Sequence, residues 1–295
     1  MYKRQGFRRS TRPVSYTHLD VYKRQDTRRR VGTYRNHQGQ RIMNLSGNTI
    51  FITGGTSGIG RALAEAFHRR GNQVIIAGRR RALLDEIARA NPGIDTVELD
   101  IGDAAGIRRA AQQVIERHPS LNVVINNAGI MPFDDAAGAL DDEQAVRLID
   151  TNLLGTVRVS AAFIEHLKRQ PASYLINNSS VLAYVPLAPT ALYSATKAAI
   201  HSYTLSQRFA LRDTGVTVLE IVPPWVDTDL VRKSGDPRAM PLDAFIAELL
   251  ARLEAAEHEV VVEAAQAFRD NAGPNEHGFV AQFNQAVVEN PIPVA

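Results

Sequence analysis

Tyr193 and Lys197 stand four residues apart, so on a helix both side chains leave from one face. A free tyrosine ionises near pH 10 and is a poor proton donor or acceptor at neutral pH. A neighbouring ammonium favours the phenolate and lowers that value. Such a tyrosine can give a proton to a carbonyl oxygen, or take one from an alcohol. A second cluster is Thr53-Gly54-Gly55-Thr56-Ser57-Gly58-Ile59-Gly60. Its glycines allow positive φ and close backbone approach. A helix opening there would turn free N–H groups and a positive dipole end toward an anion. The pyrophosphate of a dinucleotide fits such a place. Each cluster also has a plain explanation: a helical Tyr/Lys pair is commonly a solvated face, and a glycine-rich turn needs no ligand.

The elements that would carry these residues alternate along the chain. Apolar runs lie at Thr49–Thr53, Val74–Ala77, Thr96–Leu99, Leu121–Asn126, Ser173–Asn177 and Val216–Val222. Between them, helical periodicity covers Gly60–Arg70, Arg80–Arg89, Asp103–His118, Asp141–Arg169 (interrupted at Gly155) and Ala191–Arg212. Short strands separated by helices imply parallel strands with right-handed crossovers. Their continuous apolar character predicts a sheet covered on both faces. After Leu230 the chain is polar and helical, with a short strand at Glu259–Glu263. This part is expected to cap the substrate side and to add the last edge of the sheet.

The 295 residues are 44% hydrophobic and 22% charged, a globular composition. No apolar run is long enough for a membrane-spanning helix, so no membrane partner is expected. With no cysteine there is no disulfide framework, thiolate site or cysteine nucleophile, and a cytoplasmic location fits. The eight histidines lack paired metal-ligand spacing, so no metal is expected. The net charge of +3 misleads. Residues 1–42 hold 12 of the 34 Lys and Arg but only two acids, leaving 22 basic and 29 acidic residues in the remainder. Within that basic segment Tyr-Lys-Arg-Gln occurs twice, at Tyr2–Gln5 and Tyr22–Gln25. The stretch Val14–Gln25 resembles the translation of a palindromic sequencing adaptor. Residues 1–42 are therefore expected to be a non-native, disordered extension, with a basic arm for nucleic acid or an anionic membrane as the alternative. The body, residues 43–295, is acidic, and no nucleic-acid partner is expected for it.

The ordered set of motifs resembles the short-chain dehydrogenase/reductase family. It comprises the glycine loop in its Gly-x-x-x-Gly-x-Gly spacing, Asn126-Asn127-Ala128-Gly129 and Asn152 in Thr151–Gly155. Ser180 follows, thirteen residues before Tyr193, then Tyr193-Ser194-Ala195-Thr196-Lys197 and Pro223–Thr228. The resemblance covers about Ile50 to Leu230. It implies a single-domain α/β fold, a Rossmann-type doubly wound parallel sheet with helices on both faces. It also implies a catalytic set of Asn152, Ser180, Tyr193 and Lys197. Tyr193 would be the general acid/base, Ser180 would hold the reacting oxygen, Lys197 would bond the nicotinamide ribose and Asn152 would hold a relay water. Cofactor contacts are implied at Gly54, Thr56, Ser57, Gly58, Ile59, Gly60, Asn127, Ala128 and Gly129, and at Asp100 and Ile101 for adenine. Val226 and Thr228 would meet the carboxamide, although Pro224 replaces the usual glycine there and removes an N–H.

The end of the second strand decides the cofactor. An acid there bonds a ribose 2′-hydroxyl, whereas arginine accommodates a 2′-phosphate. Gly78 takes the acid's place and Arg79 follows, so NADP(H) is favoured over NAD(H). The expected activity is hydride transfer between NADP(H) and a small carbonyl or alcohol substrate. Met131, Phe133, Leu182, Tyr184, Pro186 and Leu187 suggest a fairly apolar pocket. A non-catalytic NADP(H) sensor is the second reading, and a sugar-nucleotide epimerase fits poorly. The resemblance implies a homodimer or homotetramer formed through Asp141–Arg169 and Ala191–Arg212.

Overall fold

The computed structural model describes residues 43–231, 233, 235–271 and 276–291. The extension at residues 1–42 lies outside the described residues. Strands β1 (Thr49–Thr53), β2 (Gln73–Gly78), β3 (Ile94–Glu98), β4 (Val123–Asn126), β5 (Ser173–Asn178), β6 (Val216–Val222) and β7 (Glu259–Val261) form one parallel sheet. Their order is β3-β2-β1-β4-β5-β6-β7. The helices are α1 (Gly58–His68), α2 (Arg81–Ala90), α3 (Ala104–Arg117), α4 (Asp142–Ile149), α5 (Gly155–Leu167), α6 (Ala191–Ala210), α7 (Leu242–Leu253), α8 (Glu263–Arg269) and α9 (Glu276–Glu289). The doubly wound sheet expected from the alternating pattern is present.

Two apolar layers hold it. In β1, Ile50 and Ile52 face α1 and α7, packing with Leu63, Phe67 and Leu249. Phe51 between them faces α3 and α5, with Ile107 and Val159, and its ring lies 4.8 Å from that of Phe163. The alternation of side chains along a strand thus feeds both layers from one apolar run.

One row across the sheet is not apolar. Asn126 of β4 is registered with Asn177 of β5, Asn177 with Glu220 of β6, and Glu220 with Glu259 of β7. Asn126 Nδ2 donates to Asn177 Oδ1 and to Ser160 Oγ of α5, each at 2.9 Å. Asn177 Nδ2 donates to Thr204 Oγ1 (2.9 Å) and Gln207 Oε1 (3.0 Å) of α6. These bonds to helix side chains fix α5 and α6 laterally on the sheet, while Asn126 Oδ1 is left without a partner among the described residues.

The region expected as one helix broken at Gly155 differs. The helical path continues through Gly155, and the irregularity is a π-turn at Asp150–Leu154. Gly155 is needed for close packing: a Cβ there would meet Ile101 Cδ1 at 2.8 Å and Ile101 O at 3.0 Å. The expected Glu259–Glu263 strand stops at Val261, and α8 opens at Glu263. Gly155→Ala should cost about 1–3 kcal/mol through this overlap, measured by chemical denaturation against Gly71→Ala, where nothing lies within 4 Å but φ is positive. A Gly155→Ala loss no larger than about 0.5 kcal/mol would contradict the packing account.

Candidate active site

β1 and β4 are neighbours whose successors run to opposite sides of the sheet, which leaves a crevice beyond their carboxyl ends. Thr53 Oγ1 accepts from the N–H groups of Asn127 (3.0 Å) and Ala128 (3.1 Å). Asn127 Nδ2 donates back to Thr53 O (3.1 Å) and Gly54 O (3.3 Å). Asn178 Nδ2, at the end of β5, donates to Asn127 Oδ1 at 2.9 Å. The crevice is a cleft of about 940 Å³.

Gly54, Thr56, Ser57, Gly58 and Ile59 line it, with Asn127, Ala128 and Gly129 opposite. Gly54 and Gly58 have φ of 67° and 53°, the region that favours glycine. Gly60 does not line the cleft; it lets α1 close on the loop, since a Cβ there would lie 2.3 Å from Gly54 O. Ser57 precedes α1 without capping it through its side chain, so the first-turn N–H groups remain available to an anion. The residues therefore fit a dinucleotide pyrophosphate.

At the end of β2 a Cβ on Gly78 would meet Thr56 Cγ2 at 2.8 Å, so an acidic side chain has no room. Arg79 and Asp100 both line the cleft, with Nη1 and Oδ2 4.0 Å apart. Asp100 Oδ1 also accepts from Gly102 N–H at 2.9 Å. Ile101 lines the cleft and packs against Gly155. Sequence reasoning singled out Arg79 and missed Arg80. The Arg80 guanidinium donates to Thr56 Oγ1 (2.8 Å) and Ser57 Oγ (2.6 Å). The signal was present in the Arg79–Arg81 run, but only the start of α2 at Arg81 separates the members. Arg81 instead pairs with Asp85 on the exposed helix face.

Ser180 and Tyr193 meet in the other half of the cleft. Ser180 follows β5 and its Oγ accepts from Leu182 N–H at 3.1 Å, capping the short turn Val181–Ala183. Its hydroxyl neighbours that of Tyr193 in the first turn of α6 and favours the phenolate. Lys197, one turn on, holds Nζ 5.6 Å from the Tyr193 ring centre and donates to Asn178 O at 2.7 Å. Burial pushes the Tyr193 phenol upward, with the Ser180 hydroxyl opposing. This reverses the expected lowering by Lys197: desolvation of the phenolate outweighs a lysine whose proton is directed at a backbone carbonyl. Burial also brings Lys197 down to about 8, with Glu220 opposing.

Asn152 sits on the π-turn, behind the cleft wall. Its Oδ1 accepts from Ile130 N–H and its Nδ2 donates to Ile130 O, both at 2.9 Å, so the side chain braces the loop after β4. Val226 and Thr228 line the cleft on the loop after β6. A Cβ on Gly58 would meet Thr228 Cβ at 3.3 Å, which shows how closely that loop approaches the glycine turn. Of the expected apolar pocket residues, Met131, Leu182 and Leu187 line the cleft, whereas Phe133, Tyr184 and Pro186 do not. Trp225, Met240, Phe268, Phe283 and Val287 complete that wall. The last three come from α8 and α9, which lie beyond the reach of the motifs.

The family model for short chain dehydrogenases matches residues 48–239. The chain belongs to that family. It is similar to the uncharacterised oxidoreductase DltE of Bacillus subtilis, with 37% identity over 238 residues, 77% of this chain and 93% of the relative. An NADPH-dependent 1-acyldihydroxyacetone phosphate reductase of Schizosaccharomyces pombe is 36% identical over 62% of each chain. Among solved structures, a short chain dehydrogenase of Burkholderia cenocepacia in complex with NADP aligns with a TM-score of 0.73 at 29% identity, covering 81% of this chain and 98% of that one. The protein is an NAD(P)-dependent dehydrogenase or reductase. Among the described residues no helix is long and apolar enough to cross a membrane.

The lysine value carries a stability consequence for this dehydrogenase. Lys197 sits below its ordinary value of 10.5, so between about pH 8 and 10.5 the unfolded chain binds more protons and stability rises with pH. The cost of the buried ammonium is full below pH 8 and gone above 10.5. Lys197→Met should therefore stabilise the protein at pH 7 by up to about 3 kcal/mol, less the loss of the Asn178 contact. That gain should fade toward pH 10.5 in thermal melts. A gain that grows with pH would refute the assignment.

Proposed function

We propose that the protein reduces a carbonyl compound with NADPH, or oxidises the corresponding alcohol with NADP, through Tyr193. The observation that carries this reading is the Ser180–Tyr193 hydroxyl pair, packed against Lys197 in the cleft that the glycine loop opens. The nicotinamide supplies or accepts the hydride. The glycine loop, the α1 N-terminus and the Asn127–Gly129 segment would hold the dinucleotide. Ser180 and Tyr193 would both donate to the carbonyl oxygen, and Tyr193 would release its proton to that oxygen as it gains charge. Lys197 would keep the resulting phenolate beside a positive charge. Asn152 would act by holding the Ile130 backbone and the π-turn in place.

Preference for NADP(H) rests on the absence of room for an acid at Gly78 and on two guanidinium groups, Arg79 and Arg80, at that corner. The walls at Met131, Leu182, Trp225, Phe268 and Phe283 favour a substrate with an apolar body. The segment from about residue 230 onward would cap it. Val146, Ile149, Leu154, Leu205 and Phe209 expose apolar surface on α4, the π-turn and α6, which supports a homodimer or homotetramer through those helices. Sedimentation of the full chain should give a mass of two or four copies, lowered by Phe209→Glu; a monomer at micromolar concentration would reject this.

The activity test follows NADPH and then NADH absorbance over aldehydes, ketones and diketones. Turnover should fall about 100-fold or more in Tyr193→Phe. The preference for NADPH should shrink about tenfold or more in Arg80→Ala. Tight NADPH binding without turnover of any carbonyl would favour a sensor instead.

A further inference from the structure

α6 carries Tyr193, Lys197 and His201 at intervals of four, so the three side chains share one face. Lys197 is buried, and it donates to a neutral carbonyl. A buried ammonium is costly without a compensating charge. Among the described residues Glu220 is the one fully buried acid, at 0% exposure. It lies in β6 beside Asn177, the residue before the carbonyl that holds Lys197. His201, one turn past Lys197, brings Nδ1 to 2.9 and 3.1 Å from the two Glu220 oxygens.

A second group reaches the same carboxylate. The Tyr184 hydroxyl lies 3.0 Å from His201 Nδ1, on the side of the Glu220 carboxylate. Tyr184 belongs to the segment between Ser180 and Tyr193. One face of its ring is covered by the Arg269 guanidinium at 4.8 Å, while His201 meets the ring at 64°. Arg269, at the end of α8, pairs with Glu259 of β7 at 2.6 and 3.2 Å. His201, Glu220 and Glu259 have ligand atoms within 4.8 Å of one another, a spacing that suits a cation. The Arg269 guanidinium already holds both Glu259 oxygens, so the cluster is not assigned a metal.

We propose that Glu220 is a positioning residue of the reaction: its carboxylate is the countercharge of Lys197, and its bonds to His201, which in turn meets Tyr184, lock α6 and the Ser180–Tyr193 segment onto β6. The proposal rests on the reading of Tyr193 and Lys197 as the proton-handling pair. The charged and titratable groups around Glu220 are Lys197 and His201 from α6, Tyr184 from the loop, Glu259 from β7 and Arg269 from α8. Glu259 is neutralised by Arg269, which leaves Glu220 as the negative charge that acts on Lys197. The lysine's fall to about 8 is opposed by Glu220, in keeping with this arrangement.

A double-mutant cycle on the full chain tests the pair without any substrate. At pH 7, Glu220→Gln should lower the melting temperature, and the loss should be at least halved when Lys197→Met is already present. Equal losses in both backgrounds overturn the proposal. If Glu220→Gln alone yields no folded protein, it must fold in the Lys197→Met background; failure there too overturns it. In the active enzyme, Glu220→Gln should move the alkaline limb of the reduction profile down by about half a pH unit or more, while Glu259→Gln leaves it in place. A kcat lowered equally at all pH values, with the limb unmoved, marks a merely structural role and overturns the proposal. Absence of turnover in the wild type would count against the proposed function alone, because the melting cycle stands apart from it.

Discussion

Where β1 and β4 part, neighbouring strands lose their ladder and their terminal backbone groups must find other partners. Thr53 and Asn127 provide them. One hydroxyl takes two N–H groups from across the gap, and one amide returns two bonds to the carbonyls that start the glycine turn. Asn178 extends the stitch to β5. Everything chemical in the molecule is arranged around this braced split. The glycine turn leaves from one lip, the Asn127–Gly129 segment from the other, and Ser180 lies two residues beyond Asn178.

The second half of the site depends on burial. Tyr193 and Lys197 are withdrawn from water on one turn of α6. Withdrawal pushes the phenol up and the ammonium down, so each group alone resists ionising. Nearby polar groups limit that effect: Ser180 on the phenol and Glu220 on the ammonium. The polar row across β4, β5, β6 and β7 ties this chemistry to the sheet. α6 cannot slide without breaking the bonds of Asn177 to Thr204 and Gln207.

Much of this arrangement was legible in the residues. Strands buried on both faces read as unbroken apolar runs, and β1 and β6 begin and end where those runs do. The helix starts and ends differ by a residue or two, because α1 already begins at Gly58 within the turn and α6 ends at Ala210. The glycine loop and the Ser180, Tyr193 and Lys197 positions converge on one cleft because their order and spacing carry three-dimensional information. Other features were not legible. Helical periodicity does not distinguish a glycine that interrupts a helix from one that admits Ile101. Nothing in the Val216–Val222 run marks Glu220, since its partner His201 comes from another element. The aromatic wall from α8 and α9 carries no motif, and its place over the cleft follows from tertiary packing alone.

Gly78 and Thr56 show how such packing links distant codons. The methyl group of Thr56 occupies the space a side chain at position 78 would need. The corner where a ribose would be read is therefore a joint property of two residues 22 positions apart. A lineage that traded one dinucleotide for the other could not begin with an acid at 78. It would first have to shrink residue 56, for which serine would remove the methyl and keep the hydroxyl that Arg80 holds. The order of mutational steps is thus constrained by sterics.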